Sequence, residues 1–309
     1  MKQAKAFAPG AVSSFFEIHD TQNGEPITQL ERAGAVGGGF GLQKGVHTQV
    51  IAKEAEKNRI TVTINGESNP AKTTTQTVQA LLAQTNKKYR IHVDHKIEVP
   101  IGMGFGTSAG GALTAGLALR EALALPLTYN QIGRTAHISE IQCLTGLGTV
   151  SSLTFSGGCV LVVEPGAPGI CKIDRIPIPP NYVIVVGYYP EKITKKSVLA
   201  SPEKKREINR YGKKTLEAIL AEPSLENFLA CCWEFAQKAG FTNEDICQLV
   251  AAAKKAGAVG AAQNMIGEAV HAVVDEENAE AVAEAFKETL PPNQVFISRI
   301  DFQGARLVK

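Results

Sequence analysis

The chain has 309 residues, enough for about two domains, and carries 32 Lys and Arg against 30 Asp and Glu, a formal net charge of +2. So near a balance excludes an electrostatic grip on nucleic acid or anionic lipid, while 44% hydrophobic and 20% charged residues describe a globular chain with a sizeable core. No apolar run reaches the ~18 to 20 residues of a membrane span, and Met1 to Gly10 lacks the apolar stretch of a secretion signal, so a soluble, cytoplasmic protein is expected.

In chain order, the first half reads as strands at residues 5–8, 46–52, 59–64 and 89–99. In the last of these Ile91, Val93, His95, Ile97 and Val99 alternate with polar residues, the mark of a strand with one buried face. Pro100 and the glycines at 102, 104 and 106 end it, and an Ala- and Leu-rich helix follows from about 108 to 125. A second helix is expected over 129–144 and an apolar strand over 158–163. The Pro-rich run Ile176-Pro177-Ile178-Pro179-Pro180 sets a boundary, so the domains are expected at residues 1–178 and 179–309. Beyond it come a strand at 182–189, helices at 202–220, 225–239 and 243–256, a strand at 268–274, a helix at 277–289 and a strand at 294–301. Mixed strands and helices in this order predict an α+β sandwich in each half. The six cysteines, at 143, 159, 171, 231, 232 and 247, include no C-x-x-C pair. They are expected to be buried free thiols rather than zinc ligands or disulfides.

The segment richest in chemistry is Pro100-Ile101-Gly102-Met103-Gly104-Phe105-Gly106-Thr107-Ser108-Ala109-Gly110. Alternating glycines between a strand and a helix let backbone N–H groups approach an anion, and the helix N-terminus adds partial positive charge. Ser108 can cap the helix or offer its hydroxyl to a phosphate-bound metal ion. A P-loop is set aside because the segment has no lysine, and Gly104-x-Gly106-x-x-Ala109 only approaches the dinucleotide fingerprint. A plain turn capped by Ser108 is the remaining structural alternative.

The run Pro100 to Ala109 resembles the phosphate-binding motif of the GHMP kinases. Ala8-Pro9-Gly10 matches the motif that opens that fold, and Gly257 to Gly267 stands where a third, glycine-rich motif is found. The resemblance implies an N-terminal domain like ribosomal protein S5 domain 2 and a ferredoxin-like C-terminal domain, with ATP and a small-molecule substrate between them. Within the superfamily the chain most resembles the archaeal pantoate kinases. The carrying features are Ser13-Ser14-Phe15-Phe16, the glycines of 34–41, His137 and Glu140 on one helix, Thr145-Gly146-Leu147-Gly148, and Gln263-Asn264-Met265-Ile266-Gly267.

That resemblance implies phosphorylation of pantoate to 4-phosphopantoate in coenzyme A biosynthesis. The loop from Pro100 to Gly110 (Gly102, Gly104, Phe105, Gly106, Thr107, Ser108 and Ala109 among its members) would hold ATP, and Ser108 and Glu140 would bind Mg²⁺. His137, three residues before Glu140 and on the same helix face, would contact substrate. Thr149 stands where relatives carry a general-base aspartate, and Ala11 where mevalonate-type members carry a lysine, which puts aspartate-driven deprotonation in question. Arg32, Lys44, Arg134 and His137 are candidates for the substrate carboxylate. Another hydroxy acid of the mevalonate or homoserine class, or nucleotide binding without catalysis, are the alternatives. The remaining histidines, 19, 47, 92, 95 and 271, lack metal-cluster spacing and are expected to be structural or exposed. Helices of the C-terminal half offer a face through which a homodimer could form.

Overall fold

The computed structural model describes residues 1–155, 157–190 and 201–309. Its strands of three or more residues are β1 (Lys2–His19), β2 (Gly34–Glu54), β3 (Arg59–Ile64), β4 (Tyr89–Ile97), β5 (Cys159–Glu164), β6 (Lys172–Ile176), β7 (Tyr182–Tyr188), β8 (Gly260–Gln263), β9 (Ala269–Asp275), β10 (Val295–Arg299) and β11 (Arg306–Val308). The α-helices among the described residues are α1 (Lys72–Leu82), α2 (Thr107–Leu123), α3 (Tyr129–Gln142), α4 (Thr149–Phe155), α5 (Pro202–Ala221), α6 (Leu225–Lys238), α7 (Glu244–Lys255) and α8 (Ala279–Lys287).

One sheet runs β11-β1-β2-β4-β3, with β5 paired to the first part of β2 and β6 paired to β5. All pairings between these strands are antiparallel except β3 with β4. The second sheet runs β8-β9-β7-β10, antiparallel throughout. With helices between β7 and β8 and between β9 and β10, this is the β-α-β-β-α-β arrangement of a ferredoxin-like unit.

Composition explains the layers. β4 buries Tyr89, Ile91, Val93 and His95 on one face, as the alternation requires. β7 is apolar without interruption because both faces are covered. Val183 and Val185 join Leu249, Val250 and Phe286 of α7 and α8, whereas Ile184 and Val186 join a core shared with the first half. That shared core sets Phe15 and Phe40 against Phe228 and Phe235 of α6. The chain then returns: β11 pairs with Lys5, Ala6 and Phe7 of β1, and Arg306 reaches Asp301 (2.8 Å) and the face of Phe7.

Several elements exceed or escape the sequence expectation. β1 and β2 are far longer than residues 5–8 and 46–52, because β1 bulges at Pro9/Gly10 and Ser13/Phe15. At the second bulge a Cβ on Gly37 or Gly39 would collide with the carbonyl of Phe15 or Val12, so the glycines that disguise this strand are what let it pair. α1, α4, β6, β8 and β11 have no counterpart in the sequence expectation. α1 buries Thr73, Thr74, Thr77, Val78, Leu81 and Leu82, a helical face whose first turns are threonine and hence weak in propensity. All six cysteines are free, but only Cys159 and Cys232 are buried; the other four are half-buried. No described helix is long and apolar enough to cross a membrane.

Candidate active site

β4 leads through Val99 and Pro100 into a loop in which Gly102, Gly104 and Gly106 take φ of +82°, +86° and +65°. Side chains are disfavoured at such angles, so alternating glycine is a backbone requirement here. Gly106 is the N-cap of α2 and no side chain caps the helix, which leaves its first turn without the usual capping oxygen. Ser108 is not the cap. It lies in the helix's first turn and donates from Oγ to Glu140 Oε1 on α3 (2.7 Å). Pro100, Gly104, Gly106, Thr107 and Ser108 are half-buried and Gly102 is exposed. Phe105 instead enters the shared core beside Phe296, Ala109 lies on the buried face of α2's first turn, and a Cβ on Gly110 would press on Val46 (3.0 Å). The side-chain positions of these three therefore serve packing.

Around Glu140, itself 3% exposed, four oxygens close a ring. Thr145 Oγ1 lies 2.6 Å from Glu140 Oε1, Thr73 Oγ1 lies 3.1 Å from Thr145 Oγ1, and Ser108 Oγ lies 3.1 Å from Thr73 Oγ1. Gly146 abuts the other carboxylate oxygen so closely that a Cβ there would collide with Oε2. Hard oxygens in this arrangement suit a magnesium ion that completes its shell with phosphate and water. No group of three or more His, Cys, Asp or Glu among the described residues suits a metal.

The three glycine-rich segments meet through Asn264, which is fully buried. Its Oδ1 accepts from the Ser13 N–H (2.9 Å) and its Nδ2 donates to the Met103 carbonyl (3.4 Å), so a residue of the second half ties β1 to the glycine loop. Met265 N–H donates to Ser13 O (2.8 Å), and Ala11 N–H to Phe105 O (3.0 Å). A Cβ on Gly106 would lie 2.8 Å from Thr149 Cγ2 and 2.9 Å from Ala11 Cβ. The two positions at which the chain departs from the GHMP pattern thus face one another across the helix cap.

His137 is 1% exposed and donates from Nε2 to the Ala33 carbonyl (2.9 Å). Burial lowers its pKa, against the opposing pull of the backbone at Ala33 and Leu30. Through that bond it holds the turn that carries Arg32, whose Nε donates to Gln29 Oε1 (2.8 Å). Gly148 packs on Ala35, just beyond that turn. Of the other carboxylate candidates, Lys44 donates its N–H to Ser298 Oγ, and Arg134 carries a buried Nε with no hydrogen-bond partner.

The family model for the GHMP kinases N terminal domain matches residues 72–157, the stretch from α1 to α4 that contains the loop, Ser108, His137, Glu140 and Thr149. A pantoate kinase of Methanocaldococcus jannaschii is 30% identical over 293 residues, covering 93% of this chain and 98% of that protein. One from Thermococcus kodakarensis is 30% identical over 89% of each. The chain belongs to the GHMP kinases, in the pantoate kinase family. A solved structure described as a phosphotransferase related to the CoA biosynthesis pathway has the same fold, with a TM-score of 0.86 at 26% identity over 99% of this chain and 98% of that one. As a GHMP kinase the protein is an ATP-dependent enzyme acting on a small molecule. Thr73 escapes sequence reading because it lies in α1, a helix the sequence pattern does not announce. Thr145 and Asn264 lie inside segments that the motifs single out, yet nothing in their spacing marks them as the residues that make the contacts.

Proposed function

We propose that this GHMP kinase transfers the terminal phosphoryl group of ATP to the alcohol of pantoate, yielding 4-phosphopantoate for coenzyme A biosynthesis. Pantoate kinases match it along nearly its whole length. The observation that carries the reading is the meeting of Ser108 and Glu140 at the start of α2, beside a loop of left-handed glycines and a helix end without a side-chain cap. Such an end attracts phosphate through its N–H groups and dipole. Ser108 and Glu140 would hold Mg²⁺, which when bound supplies positive charge against the phosphate oxygens.

A loose phosphoryl-transfer transition state asks for alignment more than for prior deprotonation. Thr149 can hold the acceptor hydroxyl by a hydrogen bond but cannot take its proton at neutral pH, and Ala11 offers no ammonium group. The reaction therefore runs without a carboxylate base at Thr149, on positioning and electrostatics. His137 fixes the 29–33 turn, which presents Arg32 as a cation for the substrate carboxylate. The test is ADP release from ATP–Mg²⁺ over pantoate, pantothenate, mevalonate and homoserine. Turnover confined to pantoate is expected; turnover with another acceptor, or with none, overturns the assignment.

A further inference from the structure

Two hydroxyls in the site have no part in the reaction just described. Thr73, in the first turn of α1, and Thr145, in the loop after α3, come from separate elements yet close the oxygen ring around Glu140. From the geometry we infer that Thr73 and Thr145 are positioning residues that fix the Glu140 carboxylate and the Ser108 hydroxyl for the divalent cation, an inference that rests on reading Ser108 and Glu140 as the metal pair.

The protons decide the arrangement. Three hydroxyls bring three protons to four contacts. Thr145 and Ser108 both lie within 2.7 Å of Glu140 Oε1 and both donate to it, so each spends its proton there. Thr73, 3.1 Å from both hydroxyl oxygens, has one proton for one of them. Ser108 is thereby locked with its proton toward Glu140, which turns its lone pairs away from the carboxylate, as a neutral metal ligand requires. Thr73 holds the partner oxygens at a set spacing, and it is buried at 4% exposure, so its hydroxyl has little water to turn to.

The loop is built to deliver Thr145. The Thr145 N–H donates to the Glu140 carbonyl (3.0 Å), and Leu144 before it is left-handed, with φ +56° and 81% exposure. A leucine has no burial to stabilise it there and bears the strain of that conformation. Gly146 then passes the carboxylate where no side chain would fit. The loop folds back at a conformational cost, and in doing so it sets the Thr145 hydroxyl on Oε1.

The probe is Mn²⁺, followed by its electron paramagnetic resonance signal in the presence of a non-hydrolysable ATP analogue and without pantoate. Thr145→Val and Thr73→Val keep shape and remove the hydroxyl. Each should raise the Mn²⁺ dissociation constant by about tenfold, the scale of one lost hydrogen bond, while analogue affinity in excess chelator stays unchanged. Thr145→Ser and Thr73→Ser should restore Mn²⁺ affinity, and they stand in for a valine variant that fails to fold. Wild-type Mn²⁺ affinity in folded valine variants overturns the inference, as does a serine variant that folds yet does not restore it. If Ser108→Ala and Glu140→Gln also leave Mn²⁺ affinity unchanged, the metal pair itself is misassigned; if they weaken it and the threonine variants do not, only the positioning role falls.

Discussion

Glu140 is a carboxylate enclosed by protein and supplied with two hydroxyl donors on one oxygen. Buried charge of this kind is retained where it meets a partner, and Ser108 and Thr145 are polar enough to accept a neutral amide in its place. Glu140→Gln should therefore change unfolding free energy by about 1 kcal/mol while turnover falls by at least about a hundredfold, read from urea unfolding beside steady-state ADP release. Near-normal turnover at limiting Mg²⁺ would return Glu140 to a structural role. Gly106 is constrained differently. Its φ of +65° and the 2.8 Å and 2.9 Å distances from a Cβ to Thr149 and Ala11 leave no room for a side chain. Gly106→Val should abolish nucleotide binding and destabilise by about 2 kcal/mol, measured by fluorescence titration with a nucleotide analogue and by thermal unfolding. The disturbance would act by forcing the helix cap off Thr149 and Ala11.

At the scale of elements, α2 is built almost wholly from small and apolar residues because it is covered on several sides. Gly110 lies on Val46 of β2 and Gly116 on Ile132 of α3. A helix so enclosed keeps a fixed axis, and its uncapped start is held at the glycine loop. The second half contributes the clasp: Asn264→Ala would leave the Ser13 N–H and the Met103 carbonyl without their partner. About 2 kcal/mol of stability should be lost, and nucleotide affinity should fall about tenfold as the loop loses its support. An unchanged affinity would show that the loop stands without the second half. α3 works through His137 in the same manner. His137→Ala removes the hold on the 29–33 turn, so the KM for pantoate should rise at least about fivefold with ATP affinity unaltered; an unchanged KM removes His137 and its turn from the substrate site.

Across the whole molecule, neutral histidines are built into both halves. His95 bonds Thr48 (2.7 Å) and Thr74 (3.1 Å) between β2, β4 and α1, and burial pushes its pKa down to about 4, Asp94 opposing. His271 on β9 meets Ser14 of β1 (2.9 Å), and burial pushes it down to about 3. Both folded values lie below the usual 6.5, so the unfolded chain binds protons that the folded chain refuses. Stability is full above pH 6.5 and declines as pH falls from there toward 4, by about 1.4 kcal/mol per pH unit for each histidine. Urea midpoints at pH 7, 6 and 5 should record the decline, and His95→Gln should flatten it by about one proton. A midpoint constant over that range would contradict the buried neutral state.

Composition, the alternation of β4 and the glycine run after Pro100 were sufficient to give the class of fold and the strand-to-helix turn, because these depend on local backbone physics and period. Motifs in order along the chain were sufficient for the family. The strands hidden by Gly37 and Gly39 were illegible because glycine reads as a breaker until the bulged partner that demands it is in place. α1 was illegible because its threonines find their reason only in what they touch. That Thr73 and Ser108 meet beside Glu140, which asparagine joins the glycine segments, and that Ser108 turns to a carboxylate rather than capping its helix are contacts between residues tens to hundreds of positions apart. Packing of α1, α2, α3 and the second half decides them, and packing distance has no counterpart in sequence distance.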